Sequence, residues 1–195
     1  MLSAITEDTS DMPPVPTGND LSDTNLLKLT EMSTSLAGAA PKGNLPKGDN
    51  MRVAIVAAEW NGHITSKLRQ GALDLFKQQG FDLDKDVECF DVPGAVELTF
   101  AASQLIETEL FDVVIVFGCV IRGDTPHFDY VCQSVTQGVT ELNSDCTIPV
   151  IFGLLTVENE QQALDRVGGP MGHKGVEAAE TAIRMVAFKR RVESL

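Results

Sequence analysis

The sequence predicts a three-layer α/β/α sandwich with a central parallel four-stranded sheet, preceded by a flexible N-terminal tail. Three observations lead to this prediction. Short apolar runs typical of buried strands alternate with longer stretches of helical periodicity. Each run is apolar on both faces, which is the pattern of parallel strands covered by helices on both sides. The first 50 residues show neither pattern.

Bulk composition limits the classes of function. The chain has 195 residues, of which 43% are hydrophobic and 22% charged, and this suits one domain plus a tail. Its net charge of −13 argues against nucleic acid or an anionic membrane as a partner. No apolar run is long enough to span a membrane, and the first residues do not resemble a secretory signal. We therefore expect a cytoplasmic protein.

Cysteine usage agrees with a reducing compartment. None of the cysteines forms a CxxC pair, and three of them fall at strand or helix-core positions. The sequence therefore predicts buried free thiols, in preference to disulfides or metal ligands. The four residues are Cys89, Cys119, Cys132 and Cys146.

Residues 1–50 form the predicted tail and residues 51–195 the predicted domain. The tail has seven acidic residues, three lysines, no arginine and no aromatic residue. Such a segment cannot bury enough apolar surface to fold alone, although a short helix over residues 20–32 is compatible with its leucines. Its acidity is the reverse of an organelle transit peptide.

The first half of the domain contains two strand–helix units. Strands are predicted over residues 53–58 and 87–92. The first is followed by a helix over about 63–79, which Gly80 should end, and the second by a helix over about 96–108.

The second half repeats the pattern twice. A very apolar strand over residues 113–118 precedes a helix over about 128–143. The fourth strand covers 148–155, and Thr156 is predicted to cap a helix that stops at Gly168 and Gly169. A last helix covers about 175–191.

In doubly wound, flavodoxin-like sheets, ligands bind beyond the carboxyl ends of the strands. The segments that follow the four strands are therefore the place to search for chemistry. They are Ala58–Gly62, Val92–Glu97, Gly118–His127 and Phe152–Thr156.

The first two strand ends offer binding groups. Trp60, the only tryptophan, is either a core plug or a platform for a flat ring. Asn61 suits a helix N-cap, and His63 suits a solvated position. Gly94 allows backbone to approach a ligand closely. Glu97 either complements the helix dipole or accepts hydrogen bonds from a ligand.

The third strand end combines an anion-binding turn with a titratable group. Backbone amides before the helix and the Thr125 hydroxyl could cradle an anion, although Asp124 counts against this. His127 changes protonation near neutral pH, as general acid–base catalysis requires. A histidine that only makes a local hydrogen bond is the alternative.

The fourth strand end adds an aromatic residue and two cations. Phe152 could form a second aromatic wall. Arg166 and Lys174 flank the glycine-rich "VGGPMGHKG" and either close on a phosphate or are surface charges. The sequence has no P-loop, no GxGxxG after a strand, no metal-ligand spacing and no nucleophile elbow.

Four long motifs resemble one known family. "FDVPGAVELTFAA", "GCVIRGDTPHFDYVC", "IPVIFGLLTVEN" and "HKGVEAAETAIRM", in this order and spacing, are similar to 6,7-dimethyl-8-ribityllumazine synthase. The resemblance covers residues 52–190 and leaves out the tail. It implies a transferase of riboflavin biosynthesis that condenses 5-amino-6-(D-ribitylamino)uracil with 3,4-dihydroxy-2-butanone 4-phosphate. The products are 6,7-dimethyl-8-ribityllumazine, phosphate and water.

The resemblance also implies roles for residues and partners. His127 would transfer protons, and Asp124, Thr125 and Arg166 would bind the butanone phosphate. Lys174 matches the lysine of an "NKG" motif, and Pro170-Met171 stands where many relatives carry a lysine. No metal or organic cofactor is implied. A homopentamer or a multiple of one, with sites between neighbours, and riboflavin synthase are the implied protein partners. The pyrimidine would contact Trp60, Ala95, Val96, Glu97, Cys119, Val120, Ile121 and Phe152.

Two other functions compete with this one. The first is a non-catalytic relative that binds lumazine or flavin, or only forms shells; loss of His127 or Arg166 would favour it, and both are present. The second is a flavodoxin-like or receiver-like signalling domain. That class needs an acidic pocket after the first strand, which "EWNGHIT" does not supply.

Overall fold

The computed structural model of the protein describes residues 44–145 and 147–195. Most of the predicted tail, the helix considered over residues 20–32 and Cys146 lie outside the described residues. Within the described ranges, no helix combines the length and apolarity needed to cross a membrane.

The described chain forms the predicted three-layer sandwich. Its central sheet is parallel, with strand order β2-β1-β3-β4. The four strands are β1 (Val53–Ala58), β2 (Val87–Val92), β3 (Val113–Ile121) and β4 (Val150–Val157). The helices are α1 (Gly62–Gln78), α2 (Leu83–Asp86), α3 (Glu97–Glu107), α4 (His127–Asp145), α5 (Glu160–Leu164) and α6 (Lys174–Glu193).

Alternate residues of the central strands point into two hydrophobic cores. In β1, Val53 and Ile55 face α1 and α6, whereas Ala54 and Val56 face α3 and α4. All six residues of β1 are buried. This explains why the central strands are apolar at every position, since neither face is open to solvent.

Gly80 ends α1 as predicted. Its φ of 88° lies in the left-handed region that favours glycine. The amide of Gly80 donates to the carbonyl of Lys77, and that of Phe81 donates to Phe76. The rings of Phe76 and Phe81 also pack together, with centroids 4.9 Å apart. These contacts are those of a Schellman motif with its hydrophobic contact.

The chain after β4 differs from the prediction. Thr156 belongs to β4 and caps no helix; Asn159 caps α5 instead, and its side chain accepts from the amide of Gln162 at 3.0 Å. α5 ends at Leu164. The glycines expected to stop it form an antiparallel hairpin of β5 (Val167–Gly169) and β6 (Gly172–His173), with Pro170-Met171 as its turn.

His173 joins this hairpin to α6. Its Nδ1 accepts a hydrogen bond from the amide of Gly175 at 3.2 Å, so the side chain caps the helix. The ring lies against Gly71 of α1, where a Cβ would be only 2.1 Å from Cε1. The His173 ring therefore occupies the space that a side chain at position 71 would need.

The expectation that the cysteines are buried is wrong for Cys89. Cys119 is buried, but Cys89 is exposed and Cys132 is partly exposed. Cys89 lies in β2, which among the described residues is at the edge of the sheet, with β1 as its one strand neighbour. Val87 is the one buried residue of this strand.

The residues immediately before β1 contact the domain. Leu45 packs against the core between the sheet and α1 and α6. Arg190 of α6 donates to the carbonyl oxygens of Asp49 and Asn50 at 2.6 and 2.8 Å, and to Asp112 Oδ1 at 3.2 Å. The end of α6 thus fixes the point at which the chain enters the sheet.

Candidate active site

A pocket of about 430 Å³ opens at the carboxyl edge of the sheet. Three strand ends and the start of α4 form its walls, as the parallel topology predicts. This volume is within the range of small-molecule sites. The pocket is lined by Ala58, Trp60, Asn61, Gly94, Ala95, Val96, Glu97, Cys119, Val120, Ile121, His127 and Val131.

Hydrogen bonds at the end of β1 fix the segment that contains Trp60. The Thr65 hydroxyl donates to the carbonyl of Ala58 at 2.8 Å. Asn61 has a left-handed backbone, with φ 57° and ψ 39°, and its Nδ2 donates to the carbonyl of Cys119 at 2.9 Å. Asn61 thus stands at the predicted N-cap position, but its side chain ties β1 to β3 and does not cap α1. Trp60 remains 75% exposed.

The turn after β2 brings a carboxylate to Trp60. A Cβ at Gly94 would lie 2.8 Å from Glu97 Oε2 and 4.0 Å from Trp60 Cδ1. The absence of a side chain at Gly94 therefore leaves room for Glu97 to fold back over the turn. An acceptor group and an aromatic side chain thus adjoin Gly94 and line one pocket, which suits a flat ring that carries N–H donors.

Gly118 allows α3 to pack closely on β3 beside the pocket. A Cβ there would lie 2.5 Å from Leu154 Cδ1 and 3.1 Å from Leu98 Cδ1. Leu98 is fully buried in α3, so the glycine lets the first turn of α3 pack directly on β3. Ala95–Glu97 and Cys119–Ile121 both line the pocket.

Burial affects the chemistry of Cys119. Its thiol is 4% exposed, and desolvation, followed by the negative charge of Glu160, raises its pKa to about 11. The thiol therefore stays protonated near neutral pH, and the residue acts as an apolar wall and not as a nucleophile.

His127 is the first residue of α4 and lines the pocket with an exposed side chain. Asp124 and Thr125 lie in the exposed loop just before it and outside the pocket lining. The structure thus brings the predicted proton-transfer residue into the pocket lined by the predicted pyrimidine-binding residues, and Asp124 and Thr125 lie in the loop that precedes it.

Three predicted site residues lie elsewhere. Phe152 is on β4, 43% exposed, and shares a second groove of about 360 Å³ with Lys174. Lys174 forms an ion pair with Glu177, with Nζ 2.6 Å from Oε2. Its amide donates to the carbonyl of Arg166 at 2.8 Å, and Arg166 Nη1 donates to the carbonyl of Gln162 at 2.8 Å. Lys174 thus shares a groove with Phe152 and a backbone hydrogen bond with Arg166, and we call Phe152, Arg166 and Lys174 the β4 cluster.

Sequence reasoning left some residues at the site out. Ala58 and Val131 line the pocket but are small or apolar and carry no chemical signal.

His63, expected to be solvated, lies 2.6 Å from Glu160 through Nε2 and Oε1, with both side chains exposed. No spacing in the sequence relates these two residues, which are 97 positions apart.

Comparison with known proteins identifies a family for the part of the chain that contains this pocket. The family model for 6,7-dimethyl-8-ribityllumazine synthase matches residues 50–190, which include all four strands and the pocket. The match begins at the end of the predicted tail.

Individual relatives carry the same name. A 6,7-dimethyl-8-ribityllumazine synthase of Parabacteroides distasonis is 54% identical over 145 residues, which is 74% of this chain and 90% of the relative. One of Phocaeicola vulgatus is 49% identical over 77% of this chain and 89% of the relative. One of Flavobacterium psychrophilum is 46% identical over 77% of this chain and 79% of the relative. The chain therefore belongs to the 6,7-dimethyl-8-ribityllumazine synthase family.

Proposed function

We propose that this protein condenses 5-amino-6-(D-ribitylamino)uracil with 3,4-dihydroxy-2-butanone 4-phosphate to 6,7-dimethyl-8-ribityllumazine, in the cytoplasm. The observation that carries the proposal is the pocket itself, in which Trp60, Glu97 and His127 meet from three segments of the chain. An aromatic face, a carboxylate acceptor and a titratable imidazole match a flat heterocycle whose amino groups must react.

Each group has a role in the proposed reaction. Trp60 stacks on the pyrimidine, and Glu97 accepts hydrogen bonds from its substituents. The 5-amino group attacks the ketone and one water leaves as the imine forms. Phosphate is then eliminated, and the ribitylamino nitrogen closes the ring on the carbonyl that this elimination leaves, with loss of a second water. Each step moves a proton, and we propose that His127, which lines the same pocket as Trp60, transfers it. Asp124, Thr125 and Arg166 are proposed to receive the phosphate.

The β4 cluster supports a site shared between two copies of the chain. Phe152 and Arg166 lie outside the pocket in a single chain. Phe152 is an exposed aromatic residue on an edge strand. A neighbouring copy that placed this cluster over Trp60 would supply a second aromatic wall and a guanidinium, as in a head-to-tail ring. We propose a homopentamer or a multiple of it, with residues 1–50 as a tail outside the catalytic domain.

Lumazine absorbance tests the reaction directly. The purified protein should form lumazine when both substrates are mixed, and no product should form without the butanone phosphate. Binding of the pyrimidine without turnover would instead identify a non-catalytic relative.

Mixing two variants that are each impaired at a low concentration of the butanone phosphate tests the shared site, and the assay is run at that concentration. His127→Ala removes the pocket's histidine and Arg166→Ala removes the neighbour's guanidinium. Subunits of the two variants, unfolded together and reassembled at equal amounts, should regain about one quarter of wild-type activity, since that share of sites is intact in a closed ring. Each variant reassembled alone is the control. Failure of the mixture to exceed both controls would place the two residues on the same subunit.

A further inference from the structure

An arginine spans the loop that precedes His127. Arg122 follows β3, and its amide donates to the carbonyl of Val157 at 2.9 Å, which adds one bond to the β3–β4 pairing. The backbone of Arg122 is therefore fixed to the sheet. The next four residues, 123–126, are all exposed before α4 begins at His127.

The guanidinium of Arg122 reaches across this loop to the first turn of α4. Nη2 lies 3.1 Å from Asp129 Oδ1, and Nη1 lies 3.4 Å from Asp129 Oδ2. Its Cζ lies 4.0 Å from the centroid of the Phe128 ring. A bidentate ion pair and a cation–π contact fix both direction and distance. The two contacts are made with the residues that directly follow His127.

A third partner ties the same guanidinium to the far side of the loop. Nε donates to Glu158 Oε2 at 2.9 Å, and Glu158 directly follows β4. Arg122 thus connects the start of α4 to the ends of β3 and β4, and all its nitrogen atoms are used. Two carboxylates surround one cation, so this guanidinium is poorly suited to bind a phosphate dianion as well.

We propose that Arg122 is a positioning residue, which acts on the reaction by holding the first turn of α4 so that His127 faces the pyrimidine pocket. Arg122 itself is outside the pocket lining. The inference rests on the proposed role of His127. Because the ion pairs are solvent-exposed, with 38% of the Arg122 side chain accessible, they contribute little to stability, and their effect is on orientation.

Arg122→Gln tests this inference. Removal of the guanidinium should lower kcat by about 10- to 100-fold, because a small misplacement of a reacting group is costly. The Michaelis constants for both substrates and the melting temperature should change little. Arg52→Gln is the matched control: Arg52 also combines an ion pair, to Glu88 at 3.7 Å, with a cation–π contact, to Phe111, but at the amino edge of the sheet. It should leave kcat unchanged.

A double mutant separates positioning from other roles. If Arg122 acts through His127, the variant with both Arg122→Gln and His127→Ala should be no slower than His127→Ala alone. An equal further loss in the double mutant would overturn the positioning role while the role of His127 stands. Wild-type kcat in His127→Ala would instead refute the proposed function of His127, and the inference with it.

Two further outcomes would overturn the inference. The first is a raised Michaelis constant for the butanone phosphate in Arg122→Gln with kcat unchanged, which would make Arg122 a phosphate ligand. The second uses the two carboxylates that pair with Arg122. If Arg122→Gln does not fold, Asp129→Asn and Glu158→Gln each remove one of these contacts. Wild-type kcat in both of these variants would show that the contacts of Arg122 with Asp129 and Glu158 do not position His127.

Discussion

The Nδ1 atom of His173 accepts a hydrogen bond from the amide of Gly175 at 3.2 Å, and the ring lies in contact with Gly71. This arrangement needs an imidazole without a proton at Nδ1. Burial of the ring lowers the pKa of His173, and this effect outweighs a hydrogen bond to the backbone and the nearby charges of Asp74 and Glu177, which raise it. The cap of α6 is therefore built for the neutral form.

Stability should consequently fall on the acid side through His173. An unfolded histidine titrates near pH 6.5, roughly, and the folded His173 below that. Between the two values the unfolded state binds more protons, so stability is complete above the unfolded pKa and is lost as the pH falls through the folded pKa. Chemical denaturation gives the free energy of unfolding at pH 7.5 and at pH 5. The drop between these two values should be smaller for His173→Asn, which keeps a capping side chain, than for the wild-type protein. An unchanged difference would contradict this.

His127→Ala should lower kcat by about 10²- to 10⁴-fold, the usual range for a general acid–base group. Binding of the pyrimidine, measured by calorimetry, should remain largely intact because Trp60 and Glu97 are untouched. Wild-type turnover at saturating substrate concentrations would rule out proton transfer by this residue.

Arg166→Ala should raise the Michaelis constant for the butanone phosphate by about 10- to 100-fold, as expected for loss of a charged hydrogen-bond donor. The constant for the pyrimidine serves as the internal control and should change far less. Equal effects on both substrates would mean that Arg166 acts through the structure, where it already donates to the carbonyl of Gln162.

The chain should sediment as at least a homopentamer, because Phe152 and the pocket then complete one another. A chain that starts at Pro41 should assemble and react in the same way, since the family match begins at residue 50. A fully active monomer would refute the shared site. Loss of activity in the shortened chain would show that residues 1–40 contribute to function.

The strands were predictable because burial on both faces leaves a direct trace in the sequence. Val53–Ala58 and Val87–Val92 have the predicted bounds. The exposure of Cys89 was not predictable in the same way, because it depends on β2 being an edge strand, and strand order is a property of the whole sheet. The hairpin after α5 was missed since its glycines also fit a helix end.

The candidate site was predictable where the sheet topology alone determines which residues lie close together. Three strand ends in a parallel sheet must meet at one edge, so the meeting of Trp60, Glu97 and His127 follows from their positions in the sequence. Residues from β4 onward do not obey the same rule. Phe152 lies within its strand and not beyond it, and its distance from the pocket depends on which face of the edge strand it occupies.

Trp60 has a practical consequence for optical measurements on this protein. It is the only tryptophan, so the intrinsic indole fluorescence of the whole chain originates at the mouth of one pocket. Because the indole is already 75% exposed in the folded single chain, its emission should change little on unfolding of that chain. A blue shift should therefore report coverage of the pocket, by a stacked ring or by a neighbouring subunit, and not folding.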